Sequence, residues 1–241
     1  MVSDGPAAVL VFDLDGTLYR SEAALLRYAR EVAHRLPADA DAGFEARITA
    51  HLGRGPSLPG EDDWQALAAH ARAVGIEPAR LREAFDATRR WMVEGDCPLE
   101  RPAGLPAFLA RVRRTAFVIV ASNSPPSSVG PLLARLGLLA LVDEVAAAVG
   151  KPAGLVPVVR RLVAAHGLEG LPVMSIGDNH ANDILPPQGE GWATAYVRAG
   201  RPARPATTCS ADSLEELLPC VLAWLDAVAA RRERQAVDGM G

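Results

Sequence analysis

Val9-Leu10-Val11-Phe12-Asp13-Leu14-Asp15-Gly16-Thr17-Leu18-Tyr19 is the stretch on which the reading of this chain turns. The apolar run from Ala7 to Phe12 has the length and the Val/Leu/Phe content of a fully buried strand. It stops on two acids that flank one leucine, and a glycine follows. Acids at the carboxyl end of a buried strand lie where open α/β sheets hold their ligands. Residues two apart on an extended backbone share a face, so Asp13 and Asp15 converge, and Gly16 lets the chain turn away. Two carboxylates that close repel each other, so one takes a proton or a cation lies between them. Alone, the stretch also fits a strand-end turn with two solvated acids, and the remaining sequence decides between the two.

At 241 residues the chain can bury one large core, or a core with a smaller companion. Its 49% hydrophobic and 22% charged residues are those of a soluble globular protein. A net charge of -4 with scattered arginines makes no case for a nucleic-acid partner. No apolar stretch approaches the roughly 18 residues of a membrane span, and no basic segment ahead of the first apolar run marks a signal peptide. The expectation is a cytoplasmic protein, monomer or homodimer. Cys97, Cys209 and Cys220 are few, odd in number and without metal-ligand spacing, and read as reduced thiols. Among 25 basic residues, Lys151 is the single lysine, which makes it worth explaining.

From Ser21 to Val93 the apolar spacing is helical throughout. Helices are expected at Glu22 to Leu36, capped by Ser21 and stopped by Pro37, then at Asp39 to Leu52, Asp62 to Val74 and Pro78 to Val93. Gly53 to Gly60 is a loop on composition. Gly95 to Pro102 reads as a return hinge. Thereafter strands alternate with helices. The strands are expected at Ala116 to Ala121, Val142 to Val149, Pro172 to Ile176 and Ala193 to Val197. The helices are Leu105 to Arg114, Pro126 to Leu136, Leu155 to His166, a short one at Asn182 to Gln188, and a closing one at Ser213 to Ala230. Residues 231–241 look frayed. This alternation implies a doubly wound parallel sheet, an α/β fold interrupted after its first strand by an all-helical insert. The domain reading is 1–19 with 97–241 as the core and 20–96 as the insert.

Three further strand ends carry suggestive residues. Ala121-Ser122-Asn123-Ser124 offers a hydroxyl and backbone N–H groups just before a helix, a setting suited to anions or to simple capping. Val149-Gly150-Lys151-Pro152 brings the lone ammonium to another strand end. Ser175-Ile176-Gly177-Asp178-Asn179-His180-Ala181-Asn182-Asp183 places two acids five residues apart around a turn. In this order, FDLDGTLY, ASNS, GKP and GDNHAND, the chain resembles the haloacid-dehalogenase-like (HAD) hydrolase superfamily, whose Rossmann-like core takes a helical type 1 cap where this insert lies.

The resemblance implies a Mg²⁺-dependent phosphatase acting on a small-molecule phosphate ester. Asp13 would be the nucleophile that becomes an aspartyl phosphate, and Asp15 the acid for the leaving oxygen and then the base for water. Ser122 and the backbone N–H of Asn123 would hold phosphoryl oxygens, with Gly16, Thr17 and Arg54 also contacting substrate. Lys151 would neutralise Asp13 and the phosphoryl group. Asp13, Asp178 and the backbone carbonyl of Asp15 would hold Mg²⁺, with Asn179 in support. Asp183 would support the metal's waters or orient Lys151. Members that displace halide lack an acid at the Asp15 position, and those that cleave phosphonates need a cap lysine, absent from residues 20–96. A phosphomutase of the same fold and a non-catalytic phospho-ligand-binding protein remain alternatives. His51, Arg54, Arg89, Arg90 and Trp91 are candidates for facing the substrate, with Tyr19 at the entrance and Gly53 to Gly60 as a specificity loop. Ile184-Leu185-Pro186-Pro187 departs from the family, and its prolines should shorten the following helix.

Overall fold

A computed structural model describes residues 5–37, 43–53, 58, 60–202, 204 and 207–238. By its internal packing the chain divides into two compact units, with the breaks after Tyr19 and after Glu100.

The first unit is built on a strand, β1 (Ala8–Phe12), in which all five residues are buried. Apolar side chains on both faces suit a strand covered by helices on both sides. β1 pairs in parallel with β2 (Ala116–Ala121) on one side and with β4 (Val173–Gly177) on the other. β3 (Glu144–Ala146) extends the β2 side, while β5 (Ala193–Val197) and β6 (Cys209–Ala211) extend the β4 side. The order is β3-β2-β1-β4-β5-β6, with every pairing parallel. The winding reverses direction at β1, and such a reversal opens a crevice beyond the carboxyl ends of the strands. Register makes the crevice level. Phe12 lies opposite both Val120 and Ile176, and Asp13 N donates to Ile176 O at 2.8 Å. Asp13, Ser122 and Asp178 therefore leave the sheet at nearly the same height.

Among the described residues of this unit the helices are α5 (Leu105–Val112), α6 (Pro126–Arg135), α7 (Leu155–Ala165), α8 (Leu185–Gly189) and α9 (Leu214–Asp238). The α7 stripe of Leu155, Val159 and Val163 packs on Val9, Val11 and Ile119, an amphipathic helix covering one sheet face.

The second unit holds α1 (Glu22–Ala33), α2 (Phe44–Leu52), α3 (Asp63–Ala73) and α4 (Pro78–Glu94). Ser21 caps α1 by accepting from Ala24 N at 3.1 Å. Tyr28, Val32, Phe44, Ile48, Leu67, Ala71 and Leu81 form its core, with the Trp64 ring tilted against Tyr28 and the Phe85 ring edge-on to it. The expected boundary at 96/97 moves to 100/101. Arg20 and Glu100 exchange backbone hydrogen bonds, 2.8 Å each way, and that bridge keeps 97–100 with the helices.

Other expectations change as well. β3 shortens to three residues from the eight expected, because Leu139–Leu141 forms a 3-10 turn ahead of it and Ala148 adopts a φ of 50° behind it. β6, only three residues long, was not foreseen. The closing helix runs on to Asp238 rather than fraying after Ala230. Cys209 and Cys220 are not free thiols. They form a disulfide between β6 and α9, leaving Cys97 buried and reduced. The second turn of α9 lies alongside the strand that precedes the helix, so two cysteines 11 residues apart meet. No helix among the described residues is long and apolar enough to cross a membrane.

Candidate active site

At the carboxyl end of β1 the chain makes a tight loop. Leu18 N donates to Leu14 O and Gly16 N donates to Tyr19 O, both at 3.0 Å. Gly16 has a φ of 87°, in the left-handed region, and a Cβ there would land on the Asp178 carboxylate. Glycine is required at this position for conformation and for space at once.

Lys151 is the hub. Its side chain is 3% exposed, and its ammonium donates to Asp13 Oδ1 and to Asp183 Oδ1, each at 2.7 Å. It is delivered there by Asn123, whose side-chain oxygen accepts from Lys151 N at 2.7 Å and whose amide donates to Lys151 O at 3.3 Å. Asp183 is fixed in turn: Asn179 N donates to its Oδ2 at 3.1 Å and Ser175 Oγ donates to its carbonyl at 2.7 Å. The short helix expected at Asn182 to Gln188 is instead a π turn, His180–Ile184, running into the five-residue α8. Asp178 precedes that turn, just past the end of β4, and Asp183 lies within it, its N–H donating back to Asn179 O at 2.8 Å.

Carboxylate oxygens of Asp13, Asp178 and Asp183 lie within 4.8 Å of one another. Three carboxylates against one ammonium leave the cluster short of positive charge. Burial pushes the Asp13 carboxyl up to about 7, and the charges of Asp183 and Asp15 push the same way against Lys151. Burial also opposes the Lys151 charge, but Asp13 and Asp183 outweigh it and hold its pKa above the ordinary lysine value. The ammonium therefore stays charged, and the site's unmet need is for one more cation. Oxygen donors alone, in a buried group of three, fit a hard divalent ion such as Mg²⁺.

Asp15 stands apart from that cluster. Its Oδ1 accepts from the Tyr19 hydroxyl, and its Oδ2 from Ser124 Oγ at 2.7 Å and Ser122 Oγ at 3.4 Å. Ser122 Oγ also accepts from Ser124 N at 3.0 Å. Thr17 is 3% exposed, and its hydroxyl has no hydrogen-bond partner among the described residues.

This arrangement lies at the switch point of a parallel sheet, and the sequence that builds it matches a known family. The family model for haloacid dehalogenase-like hydrolases fits residues 7–188. The chain belongs to the HAD-like hydrolases. No curated protein matches it. Several solved HAD-fold structures are similar to this one at low identity. The HAD-hydrolase YfnB from Bacillus subtilis, solved bound to magnesium, has a TM-score of 0.61 at 16% identity, over 88% of this chain and 97% of that one. A predicted phosphoglycolate phosphatase from Haemophilus somnus has 0.61 at 17%, over 88% and 97%. A 2-haloacid dehalogenase from Pseudomonas syringae has 0.54 at 16%, over 90% and 99%. At such identities the likeness is one of fold.

Of the residues singled out in sequence, the HAD core brings together Asp13, Asp15, Ser122, Asn123, Lys151, Asp178, Asn179 and Asp183. Asn123 serves Lys151 through its side chain, a part not expected of it. Tyr19 is not at an entrance. It is 2% exposed, with its hydroxyl on Asp15. Ser124 joins the site on Asp15 without a role expected from sequence, although the rule that pairs Asp13 with Asp15 also puts Ser122 and Ser124 on one face. In the helical unit, Arg89 is 2% exposed, its guanidinium over the Phe85 ring at 5.7 Å. Trp91 lies beneath Arg27 and Arg90 is exposed. His51 Nδ1 accepts from Leu58 N at 3.0 Å. Arg54 lies outside the described residues, as does most of the Gly53 to Gly60 loop.

Proposed function

We propose that this HAD hydrolase cleaves a small-molecule phosphate monoester through an aspartyl phosphate on Asp13, with Mg²⁺ held by Asp13 and Asp178 and supported by Asp183. The observation that carries the reading is the Lys151 ammonium, 2.7 Å from both Asp13 and Asp183 inside a cluster that still lacks positive charge. A carboxylate attacking a phosphate dianion meets like-charge repulsion, and phosphoryl transfer is catalysed mainly by positioning and charge neutralisation. Mg²⁺, when bound, supplies the remaining neutralisation.

The side chains carry the two half-reactions. Asp13 forms a bond to phosphorus while the bond to the leaving oxygen breaks, and protonated Asp15 gives that oxygen its proton. Asp15, now a carboxylate, takes a proton from water as the water oxygen bonds to phosphorus. The acyl-phosphate bond breaks, inorganic phosphate leaves, and Asp13 is restored. Lys151 keeps its proton throughout. Ser122 and Thr17 bind phosphoryl oxygens, and the unpartnered Thr17 hydroxyl gains its missing partner from substrate. Halide departs without a proton, so an acid held at position 15 supports an ester rather than a haloacid.

The test is phosphate release from p-nitrophenyl phosphate with and without Mg²⁺, for the parent and for Asp13→Asn. Mg²⁺-dependent release that Asp13→Asn abolishes is the expected result. A folded parent that releases no phosphate from this ester, or from a panel of nucleotides and sugar phosphates, ends the proposal. The same panel, scored for isomerised sugar phosphate, separates hydrolysis from mutase chemistry.

A further inference from the structure

We propose that Tyr19 and Ser124 are the positioning residues of Asp15, gripping its two carboxyl oxygens from opposite sides so that it can act first as acid and then as base. The inference rests on the phosphatase reading above.

The grip is two-handed. Tyr19 takes Oδ1 and Ser124 takes Oδ2 at 2.7 Å. Both partners are themselves immobilised. Tyr19 is 2% exposed, and its backbone bridges to Asp15 across the tight loop. Ser124 is 4% exposed, and its N–H is tied to Ser122 Oγ. They come from different parts of the sheet, Tyr19 from the loop after β1 and Ser124 from the end of β2, so the carboxyl group is fixed against rotation about both of its side-chain torsions. Ser122 Oγ, 3.4 Å from Oδ2, adds a longer third contact on the Ser124 side.

Two hydroxyls, one on each carboxyl oxygen, set the position and the plane of the group. Placement within about half an ångström is what general acid catalysis needs from its surroundings.

The test compares Tyr19→Phe, Ser124→Ala and the double variant with the parent on two aryl esters with Mg²⁺. Phenyl phosphate releases phenol, about as weak an acid as the tyrosine side chain (pKa about 10), and needs a proton donor. p-Nitrophenyl phosphate releases a stabilised phenolate and needs none. Because kcat/KM covers only the steps through departure of the first product, it isolates the acid role of Asp15. The expected result is a loss in kcat/KM at least tenfold greater on phenyl phosphate than on p-nitrophenyl phosphate, with Ser124→Thr restoring most of it. Equal losses on both esters, or none, overturn the proposal, since a purely structural role lowers both together. Crystal structures of the metal-free parent and double variant give a readout independent of turnover. An Asp15 carboxyl that leaves its parental position supports the proposal, and an unmoved one overturns it. A parent inactive on both esters removes the phosphatase reading, and this inference with it. That outcome is distinct from an active parent with matched losses.

Discussion

Replacing Lys151 by Met keeps the length of the side chain and removes only its charge and its two hydrogen bonds. Hydrogen bonds to charged groups contribute about 1.5–3 kcal/mol each, so the gross loss for the two 2.7 Å contacts is about 3–6 kcal/mol. Two effects reduce it. Burial of the ammonium no longer has to be offset, and Asp13, already pushed up to about 7, takes a proton more readily once the ammonium is gone. The net loss at neutral pH is about 3 kcal/mol, roughly 6–12 °C in Tm for a chain of this size. The pH dependence has a definite sign. An acid whose folded pKa is raised adds stability below its unfolded value of 3.8, and that stability is lost as pH climbs through about 7. The variant should therefore melt closer to the parent at pH 5.5 (an assay condition of about that value) than at pH 8 or so, measured without metal. Turnover should fall by about 10³-fold or more, since about 4 kcal/mol of transition-state neutralisation is removed. Retention of kcat within about tenfold of the parent, with the fold intact, would refute the assignment of Lys151 to the chemistry.

Three other outcomes follow from the same geometry. Mg²⁺ at about 100 times its Kd should stabilise the parent by about 2.7 kcal/mol in thermal unfolding, and Asp178→Asn should abolish most of that shift. Thr17→Val removes a buried hydroxyl that has no partner among the described residues, so Tm should hold or rise while KM for a phosphate ester increases several-fold. Cys209→Ser with Cys220→Ser opens a loop closed across 11 residues and should cost about 3 kcal/mol in thermal unfolding. Turnover should be unaffected, because β6 is three strands away from β1 in the sheet.

The catalytic constellation was legible in sequence because its parts sit at strand ends. A run such as Val9 to Phe12 announces its own burial, and parallel winding then obliges the next residues of β1, β2 and β4 to share one edge. The family resemblance implied parts for Asp13, Lys151 and Asp178, and in the structure Lys151 reaches Asp13 while carboxylate oxygens of Asp13 and Asp178 lie within 4.8 Å of each other. The misreadings fall where local pattern carries little weight. β6 is three residues long, too short for the alternation of Cys209, Ser210 and Ala211 to announce a strand, and only pairing with β5 makes it one. The Cys209–Cys220 bond depends on how α9 folds back on β6, which spacing does not reveal. Tyr19 looked like an entrance residue because its direction depends on how the loop after Gly16 closes.

Sequence by itself settled the parallel α/β class, the family and the identity of the charged groups, since hydrophobic runs and a single lysine are local properties that survive any uncertainty in packing. Only the tertiary structure decided which of those groups touch. Asp183 joins Asp13 on the Lys151 ammonium, Asn123 steers Lys151 rather than only facing an anion, and Tyr19 and Ser124 close on Asp15. Hydrogen bonds between residues as far apart as 109 and 138 positions are set by strand register and loop closure, and no local pattern encodes either.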